Sequence, residues 1–311
     1  AVDQTIEMGE PLEADTVQKS ANAKFDAGGN GINLSQFVNA LGGETMATGV
    51  IGGFTGYFLE QELERFGVPT DFCSVESGPT RINTTLLVPK PSSPNVSRIS
   101  GETPIEREEY QIRQTGPDVS QSVIDKLVET VQKHDPEILT IGGSLPPGIE
   151  PDVIDRLARS GDWETALNVH GEVLVELEEE YEYCRANRAA IETATGRTVE
   201  GVTDCEQAAL ELQERGFERV IASMGSEGAV MVTPEETLYS PAVDVDVVDT
   251  KGAGDALFGA ILWAYEQGWD DETALRAGVA TAWKLVTVAG SSIEEFDPQE
   301  RMDEVQVWQV N

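Results

Sequence analysis

Short apolar stretches alternate with amphipathic helical patterns along most of this chain, and this alternation limits the fold strongly. One helical face collects the apolar residues Leu34, Phe37, Val38 and Leu41. An apolar strand is predicted over 46–51, and the same order returns with strands over 138–141, 220–223 and 229–232 and helices over 252–265 and 271–289. Alternation of this kind predicts a mostly parallel sheet with helices on both faces.

Two segments interrupt the alternation. Residues 1–20 and 80–100 contain short strand patterns and turn residues but no partner helices. We expect them to form a small antiparallel β-lid that stands off the main sheet. Residues 21–79 and 101–311 are then expected to form the main α/β domain, which binds the nucleotide and the substrate.

The charge of the chain excludes one class of partner. It has 56 Asp and Glu against 21 Lys and Arg, a formal net charge of −35. Nucleic-acid binding is not expected, because phosphate contacts need clustered basic side chains. The acids are spread along the chain, which we interpret as halophilic adaptation to a high-salt cytosol. An acidic protein that sequesters a basic partner is the alternative, and the full globular patterning counts against it.

The cysteines, the histidines and the apolar segments indicate in which cell compartment the protein works. The three cysteines have no short metal-ligand spacing and the chain has two histidines, so we expect buried thiols and no zinc site. The apolar run over 256–265 is shorter than the roughly 20 residues that a membrane helix needs. No signal-peptide pattern opens the sequence. These features predict a cytoplasmic protein with no membrane partner.

One loop carries the chemistry of an anion site. Residues 249–256, DTKGAGDA, follow a predicted strand over 243–248 and open a predicted helix. Small residues at a helix N-terminus let backbone N–H groups point at an anion, and the helix dipole adds to the attraction. Asp255, in the first turn, can take a proton from an attacking hydroxyl. An ordinary helix cap on a tight turn is the alternative.

Three more glycine-rich loops stand beside predicted strands. The loop over 27–33, AGGNGIN, opens a helix, and Asn33 offers a donor and an acceptor to a sugar hydroxyl. The loop over 142–148, GGSLPPG, follows a strand, where open parallel sheets bind ligands. The loop over 223–229, SMGSEGA, lies between two strands and is otherwise a hairpin turn. The sequence contains no Walker-type phosphate loop, which disfavours a P-loop NTPase.

Together and in this order, the four loops resemble those of the PfkB (ribokinase-like) family of carbohydrate kinases. The resemblance covers essentially the whole chain, and GGNGIN and DTKGAGD match the family's two signature regions. Asp3, the TRIN run over 80–83 and the loop over 143–148 are most similar to the phosphosugar branch, above all to its 1-phosphofructokinases. The resemblance implies a ribokinase-like three-layer α/β/α fold with a β-lid. It also implies residues upstream of Ala1, because the family carries a strand and Asn-Pro before the equivalent of Asp3.

The resemblance implies a role for each loop. Asp255 is the expected general base, and the backbone of Gly252, Ala253 and Gly254 is the expected anion hole for the transferred phosphoryl group. The residues expected to hold the sugar phosphate are Asp3, Lys19, Gly28, Gly29, Asn33, Arg81 and Ser144. The residues expected at the nucleotide are Asn187, Ser223, Gly225 and Gly228. ATP and Mg²⁺ are the expected cofactors, and a homodimer through the lid is a family-level expectation.

Two departures from the family pattern concern the metal. Ala190 replaces the Glu of an Asn-x-x-Glu motif, and Asn168 stands where related phosphosugar kinases often have Asp. Glu192 lies two residues further on and is expected to point elsewhere on the helix. Nucleotide phosphates and water can still hold Mg²⁺. We therefore expect no metal ligand from the chain itself and weaker or altered metal control.

The expected function is ATP-dependent phosphoryl transfer to a ketose phosphate, first of all fructose 1-phosphate to give fructose 1,6-bisphosphate. The near alternatives are a 6-phosphofructokinase and a tagatose-6-phosphate kinase. A kinase of an unphosphorylated sugar is more distant, because Arg81 and Ser144 count against it. A sugar-phosphate-binding pseudokinase is the alternative from another class. Ala190 and Asn168 favour it, and the intact loop over 252–255 counts against it.

Overall fold

The computed structural model describes residues 1–90, 107–288 and 296–310. The strands are β1 (Val2–Met8), β2 (Ser20–Ala27), β3 (Ala47–Gly52), β4 (Thr70–Val75), β5 (Ile82–Pro89), β6 (Arg107–Arg113), β7 (Ile138–Gly143), β8 (Glu164–Val169), β9 (Tyr181–Asn187), β10 (Phe217–Ser223), β11 (Ala229–Val232), β12 (Thr237–Ser240) and β13 (Trp308–Gln309). The helices are α1 (Asn30–Ala40), α2 (Gly53–Arg65), α3 (Gln121–His134), α4 (Asp152–Ala158), α5 (Gly171–Glu176), α6 (Arg188–Thr195), α7 (Val202–Glu214), α8 (Ala253–Glu266), α9 (Asp271–Val286) and α10 (Gln299–Met302).

The main sheet runs in the order β13-β12-β11-β10-β9-β8-β7. Strands β7 to β10 are parallel, and β11 to β13 continue the sheet antiparallel. Alternate residues of one strand enter opposite cores, as Cys184 and Tyr183 show. Helices α5, α6 and α7 pack on one face, and α1, α8 and α9 pack on the other. The expected three-layer α/β/α fold is confirmed.

A second sheet pairs β3 with β4 in parallel. A cavity of about 720 Å³ separates β3 from β7 and is lined by Val50, Leu127 and Leu139 among others. Among the described residues no strand lies between β3 and β7.

The lid is a four-stranded sheet in the order β2-β1-β5-β6. It includes β2 and β6, which lie mostly or wholly in segments that the sequence interpretation gave to the main domain. The prediction of an antiparallel lid was wrong for its central pair, because β1 and β5 are parallel. They can be parallel because α1, β3, α2 and β4 carry the chain back between them. Residues 91–100, also predicted for the lid, lie outside the described residues.

The strand predicted over 243–248 was also wrong. These residues form an irregular loop before α8, with Val247 and Val248 exposed. Their alternation of Val and Asp imitates a strand, but the outer edge of β12 is already paired with β13. The three cysteines are buried free thiols, as predicted. In the described part of the chain, every helix is too short or too polar to cross a membrane.

We expect the melting temperature to rise with salt, because few of the 56 acids can pair with 21 bases. The mutual repulsion of the unpaired carboxylates acts over about 30 Å at 0.01 M salt but about 3 Å at 1 M. Circular dichroism melts in KCl from about 0.05 M upward should show a gain of roughly 10 °C that flattens near 1 M. Sucrose serves as the uncharged control. A flat or falling melting temperature would contradict halophilic adaptation and favour a basic partner.

Candidate active site

Asp255 lies in the first turn of α8 and is 7% exposed. Its Oδ2 accepts a hydrogen bond from Asn33 Nδ2 and its Oδ1 one from Asn168 Nδ2, both at 2.8 Å. Burial raises the pKa of Asp255, while the Asn33 bond, the Arg185 charge and the Asn168 bond act against that rise. A desolvated carboxylate with an elevated pKa, held from both sides, suits a group that takes a proton from a hydroxyl.

Arg185 stands near this carboxylate and is joined to it through Asn168. It projects from β9, donates from one terminal nitrogen to Ser223 Oγ at 2.8 Å and from the other to Asn168 Oδ1 at 3.3 Å. A side chain on Gly254 would overlap the guanidinium, so any larger residue there would have to displace Arg185. Burial lowers the pKa of Arg185 and the Asp255 charge opposes that change. The chain therefore holds a cation at the start of α8, beside the place where the phosphoryl anion is expected to bind.

Sequence reasoning missed Arg185, although one signal was present. Arg185 lies two residues before Asn187, so both side chains leave β9 on the same face. Its Nε is buried and has no hydrogen-bond partner among the described residues. One predicted anion-hole group is partly engaged, because Ala253 donates its N–H to Thr250 O at 3.3 Å.

The lid brings Asp3 to the same site. Asn83 Nδ2 donates to Asp3 Oδ1 at 3.0 Å, and Lys251 Nζ lies 3.8 Å from Asp3 Oδ2. A Cβ on Gly28 would lie 2.5 Å from Asp3 Cγ, so the loop needs a glycine for this close approach. Within the described residues, Oδ1 of Asn33 and of Asn83 are buried without hydrogen-bond partners. These two acceptors and the Asp3 carboxylate suit the hydroxyl groups of a sugar.

Gly29 caps the N-terminus of α1 with a positive φ of 106° and lies beside the backbone of Ala1. Gly29 therefore lies where the lid strand β1 begins and α1 starts. The predicted loop over 27–33 does open a helix at this point, and it brings Asn33 to Asp255.

Two guanidinium groups lie near each other on the lid. Arg81 precedes β5 and Arg113 ends β6, and the pKa of Arg81 is lowered by burial and then by the Arg113 charge, against Asp3. The register Asp3–Asn83–Arg113 puts these three residues in one row of the lid sheet. No motif signalled Arg113. Two neighbouring cations attract an anion, and in a chain this acidic they are unusual.

Ser144 lies after β7, and its Oγ is 3.0 Å from Nε2 of His170, which follows β8. Ser144 and Arg81 line the same cavity. The predicted phosphate ligands Arg81 and Ser144 therefore border the same cavity, and His170 lies beside Ser144.

Lys19 is placed elsewhere. It lies in the exposed connection before β2, next to the pair Met8–Ser20, whereas Asp3 pairs with Asp26. Five residues of strand, at about 3.3 Å each, separate Met8 from Asp3. Within one chain Lys19 therefore lies too far from Asp3 to hold the same small sugar phosphate.

The predicted nucleotide residues lie at the carboxyl ends of β9 and β10 and in the turn that follows, and Ser223 contacts Arg185. Asn187 caps α6, with its Oδ1 accepting from Ala190 N at 2.8 Å, so its amide nitrogen is the end left to face a ligand. Gly225 opens a 3₁₀ turn between β10 and β11. Gly228 closes that turn, where a side chain would overlap Ser240 O. The glycine at 228 is therefore explained by packing alone, and its nucleotide role stays a prediction.

A dedicated metal site does not fit these residues. The described residues contain no group of three or more His, Cys, Asp or Glu that could hold a metal. Ala190 offers no ligand, and Asn168 is already bonded to Asp255 and Arg185. Glu192 Oε1 accepts from Val199 N at 2.8 Å and so is occupied elsewhere.

Comparison with known proteins agrees with this geometry. Residues 1–296 match the pfkB family of carbohydrate kinases. The chain is 43% identical over 297 residues to 1-phosphofructokinase of Haloferax volcanii, covering 96% of this chain and 92% of that protein. It is 30% identical to D-tagatose-1-phosphate kinase of Bacillus licheniformis, covering 91% and 90%. The crystal structure of Escherichia coli phosphofructokinase-2 with fructose-6-phosphate has the same fold, with a TM-score of 0.83, 23% identity and coverage of 98% and 95%.

The chain therefore belongs to the pfkB family and is a carbohydrate kinase that uses ATP. The four glycine-rich loops, which carried the resemblance, lie around one site in the structure. The family match reaches from the lid to the end of α9 and beyond, so it includes each of them.

Proposed function

We propose that this pfkB-family kinase transfers the γ-phosphoryl group of ATP to fructose 1-phosphate and forms fructose 1,6-bisphosphate. The observation that carries the choice of a phosphorylated acceptor is the pair Arg81 and Arg113 on the lid, near Asp3. The 43% identity to a 1-phosphofructokinase supports the choice of sugar. Fructose 6-phosphate and tagatose phosphates are the alternatives, and the relative from B. licheniformis gives the tagatose phosphates weight.

In the proposed reaction, Asp3, Asn33 and Asn83 bind hydroxyl groups of the sugar. The acceptor oxygen attacks the γ-phosphorus, its proton passes to Asp255, and the bond from phosphorus to the ADP oxygen breaks. Negative charge on the transferred group meets the N–H groups at the start of α8 and the Arg185 guanidinium. Each of these roles uses a side chain or backbone group that lies at the site.

The nucleotide is proposed to lie along β9 and β10, with its phosphates near Arg185 and Ser223 and with Asn187, Gly225 and Gly228 beside it. Mg²⁺ would be held by these phosphates and water, since the described residues supply no group of metal ligands. The dependence of the rate on Mg²⁺ concentration should therefore follow the formation of the Mg²⁺–ATP complex.

The four-stranded sheet is proposed to act as a lid over the sugar and as the contact of a homodimer. Phe25 and Ile112 are exposed and lie in one row across the sheet, through Gln4 and Thr84. Tyr110 is exposed in the next row of the same face. A second copy of this lid is the occupant that suits such a face. Light scattering of Ile112→Glu at about 2 M KCl should show monomers if this is so, and an unchanged mass would remove the proposal.

An ADP-release assay with a panel of sugars and sugar phosphates in about 2 M KCl tests the function. We expect kcat/KM to be highest for fructose 1-phosphate. A preference for fructose 6-phosphate or a tagatose phosphate would correct the acceptor. Preference for an unphosphorylated sugar would contradict the proposed phosphate site, and binding without turnover would indicate a pseudokinase.

Replacing Arg81 with Ala should raise KM for the sugar phosphate by about 10–150-fold and change KM for ATP much less. The lost charge-assisted contact contributes roughly 1.5–3 kcal/mol. Initial rates over both substrates measure the effect. Arg107→Ala is the matched control, because Arg107 lies in the same strand as Arg113 but pairs with Glu7 at 3.4 Å. Equal KM values in wild type and Arg81→Ala would show that Arg81 is outside the site.

A further inference from the structure

Asn168 joins the two charged groups of the site. It is the next-to-last residue of β8, is 2% exposed, and donates from Nδ2 to Asp255 Oδ1 at 2.8 Å. Its Oδ1 accepts from Arg185 at 3.3 Å. The donor end of the amide thus meets the carboxylate and the acceptor end meets the guanidinium. The two partners therefore fix the orientation of the amide.

An aspartate at position 168 would not make the same contacts. Its carboxylate could accept from Arg185, but when ionised it has no hydrogen to give to Asp255. Two carboxylates at hydrogen-bond distance cannot both be ionised without strong repulsion, so they share a proton. An aliphatic side chain would meet neither partner. An amide therefore makes both contacts without needing an additional proton.

We propose that Asn168 is a positioning residue for phosphoryl transfer. It holds the Asp255 carboxylate and the Arg185 guanidinium in one arrangement and keeps Asp255 in its proton-accepting form. The inference rests on the proposed role of Asp255 as the base. It also gives a reason for Asn in place of the family's Asp at this position: the amide positions both Asp255 and Arg185.

The other groups that face Asp255 determine what a change at Asn168 will do. Asn33 reaches it from α1, Arg185 from β9 and Asp3 from the lid. Burial and Asp3 raise the pKa of Asp255, and the Asn33 bond, the Arg185 charge and the Asn168 bond lower it. Loss of the Asn168 bond removes one of the groups that favour the ionised form. The pKa of Asp255 should then rise, and activity at lower pH should fall.

The test is the pH dependence of kcat/KM in Asn168→Asp and Asn168→Ala. We expect the acid limb, the low-pH side of the kcat/KM profile, to move to higher pH by about one unit or more in Asn168→Asp, and by less in Asn168→Ala. The substrate phosphate also titrates in this range, but equally in every variant. Asn39→Asp is the matched control, because Asn39 donates to Phe66 O at 2.9 Å on the surface. Its profile should coincide with that of the wild type.

A second measurement does not depend on the acceptor. In Asn168→Asp the folded protein should hold an extra proton above the pKa of about 3.9 that Asp has in unfolded chains. Its melting temperature relative to wild type should therefore fall as pH rises from about 5 to about 8. Asn39→Asp gives the baseline for a new carboxylate outside the site, and its trend should be smaller because that carboxylate is open to water.

The outcomes separate the inference from the proposed function. If no sugar phosphate is phosphorylated but the melting difference grows with pH, the link between Asn168 and Asp255 stands and the function fails. If both Asn168 variants lose stability and kcat by amounts that do not change with pH, and the acid limb stays in place, Asn168 is structural only and the inference is overturned.

Discussion

Replacing Asp255 with Asn is expected to lower kcat by about 10²–10⁴-fold, because the variant cannot take the proton of the attacking hydroxyl. The fold should survive the change. Asn33 can rotate its amide, since its Oδ1 has no partner among the described residues, and offer that oxygen to the new amide nitrogen. Asn168 can keep donating to the remaining oxygen. Steady-state kinetics and a thermal melt measure the two expectations.

The affinity for ATP should change little in Asp255→Asn, which calorimetric titration can show. Asp125→Asn is the matched control, since Asp125 is exposed on α3 and paired with Arg156 at 2.7 Å. Retention of more than about a third of kcat would remove Asp255 from the role of base, since general-base loss costs far more. A large loss of ATP affinity would instead show that the carboxylate organises the nucleotide site.

The sequence predicted the parts of the fold and site that have local signals. Helical periodicity placed α1 and α8, and two of the glycine-rich loops marked where the backbone comes close to Asp3 and to Arg185. Asp255 and Asn33, 222 positions apart, were both identified because each sits in such a loop. Their direct hydrogen bond was not predicted, because it depends on how α1 and α8 pack against one sheet.

The residues that sequence reasoning missed have no loop motif. Arg185 and Arg113 lie inside strands, where an arginine is commonly a surface residue, and only the assembled sheets show that they face the site. The role of Lys19 stays a prediction. Its place in the chain resembled a family position, but strand register puts it far along the lid from Asp3 of the same chain. Residues 243–248 were predicted as a strand because their residues alternate, but a strand also needs a neighbouring strand with free backbone groups, which the pattern does not show.

Arg185→Met should lower kcat by about 10²–10³-fold, the loss that follows removal of one strong donor to developing charge. Methionine keeps much of the side-chain volume and removes the cation. The change also leaves Asn168 Oδ1 and Ser223 Oγ without this donor and takes away a charge that favours ionised Asp255. We therefore expect the acid limb of the kcat profile to move to higher pH as well.

A second variant reaches the same guanidinium without altering its charge. A side chain at Gly254 would overlap it, so Gly254→Ala should displace Arg185 and lower kcat in the same direction. Arg159→Met is the control for lost positive charge, because Arg159 is exposed and paired with Glu179 at 2.9 Å. Full activity in Arg185→Met would show that the N–H groups at the start of α8 stabilise the negative charge of the phosphoryl group without Arg185. A loss in Gly254→Ala with normal Arg185→Met kinetics would point to the backbone of α8 and away from the cation, because the two substitutions share the guanidinium but only one alters the helix start.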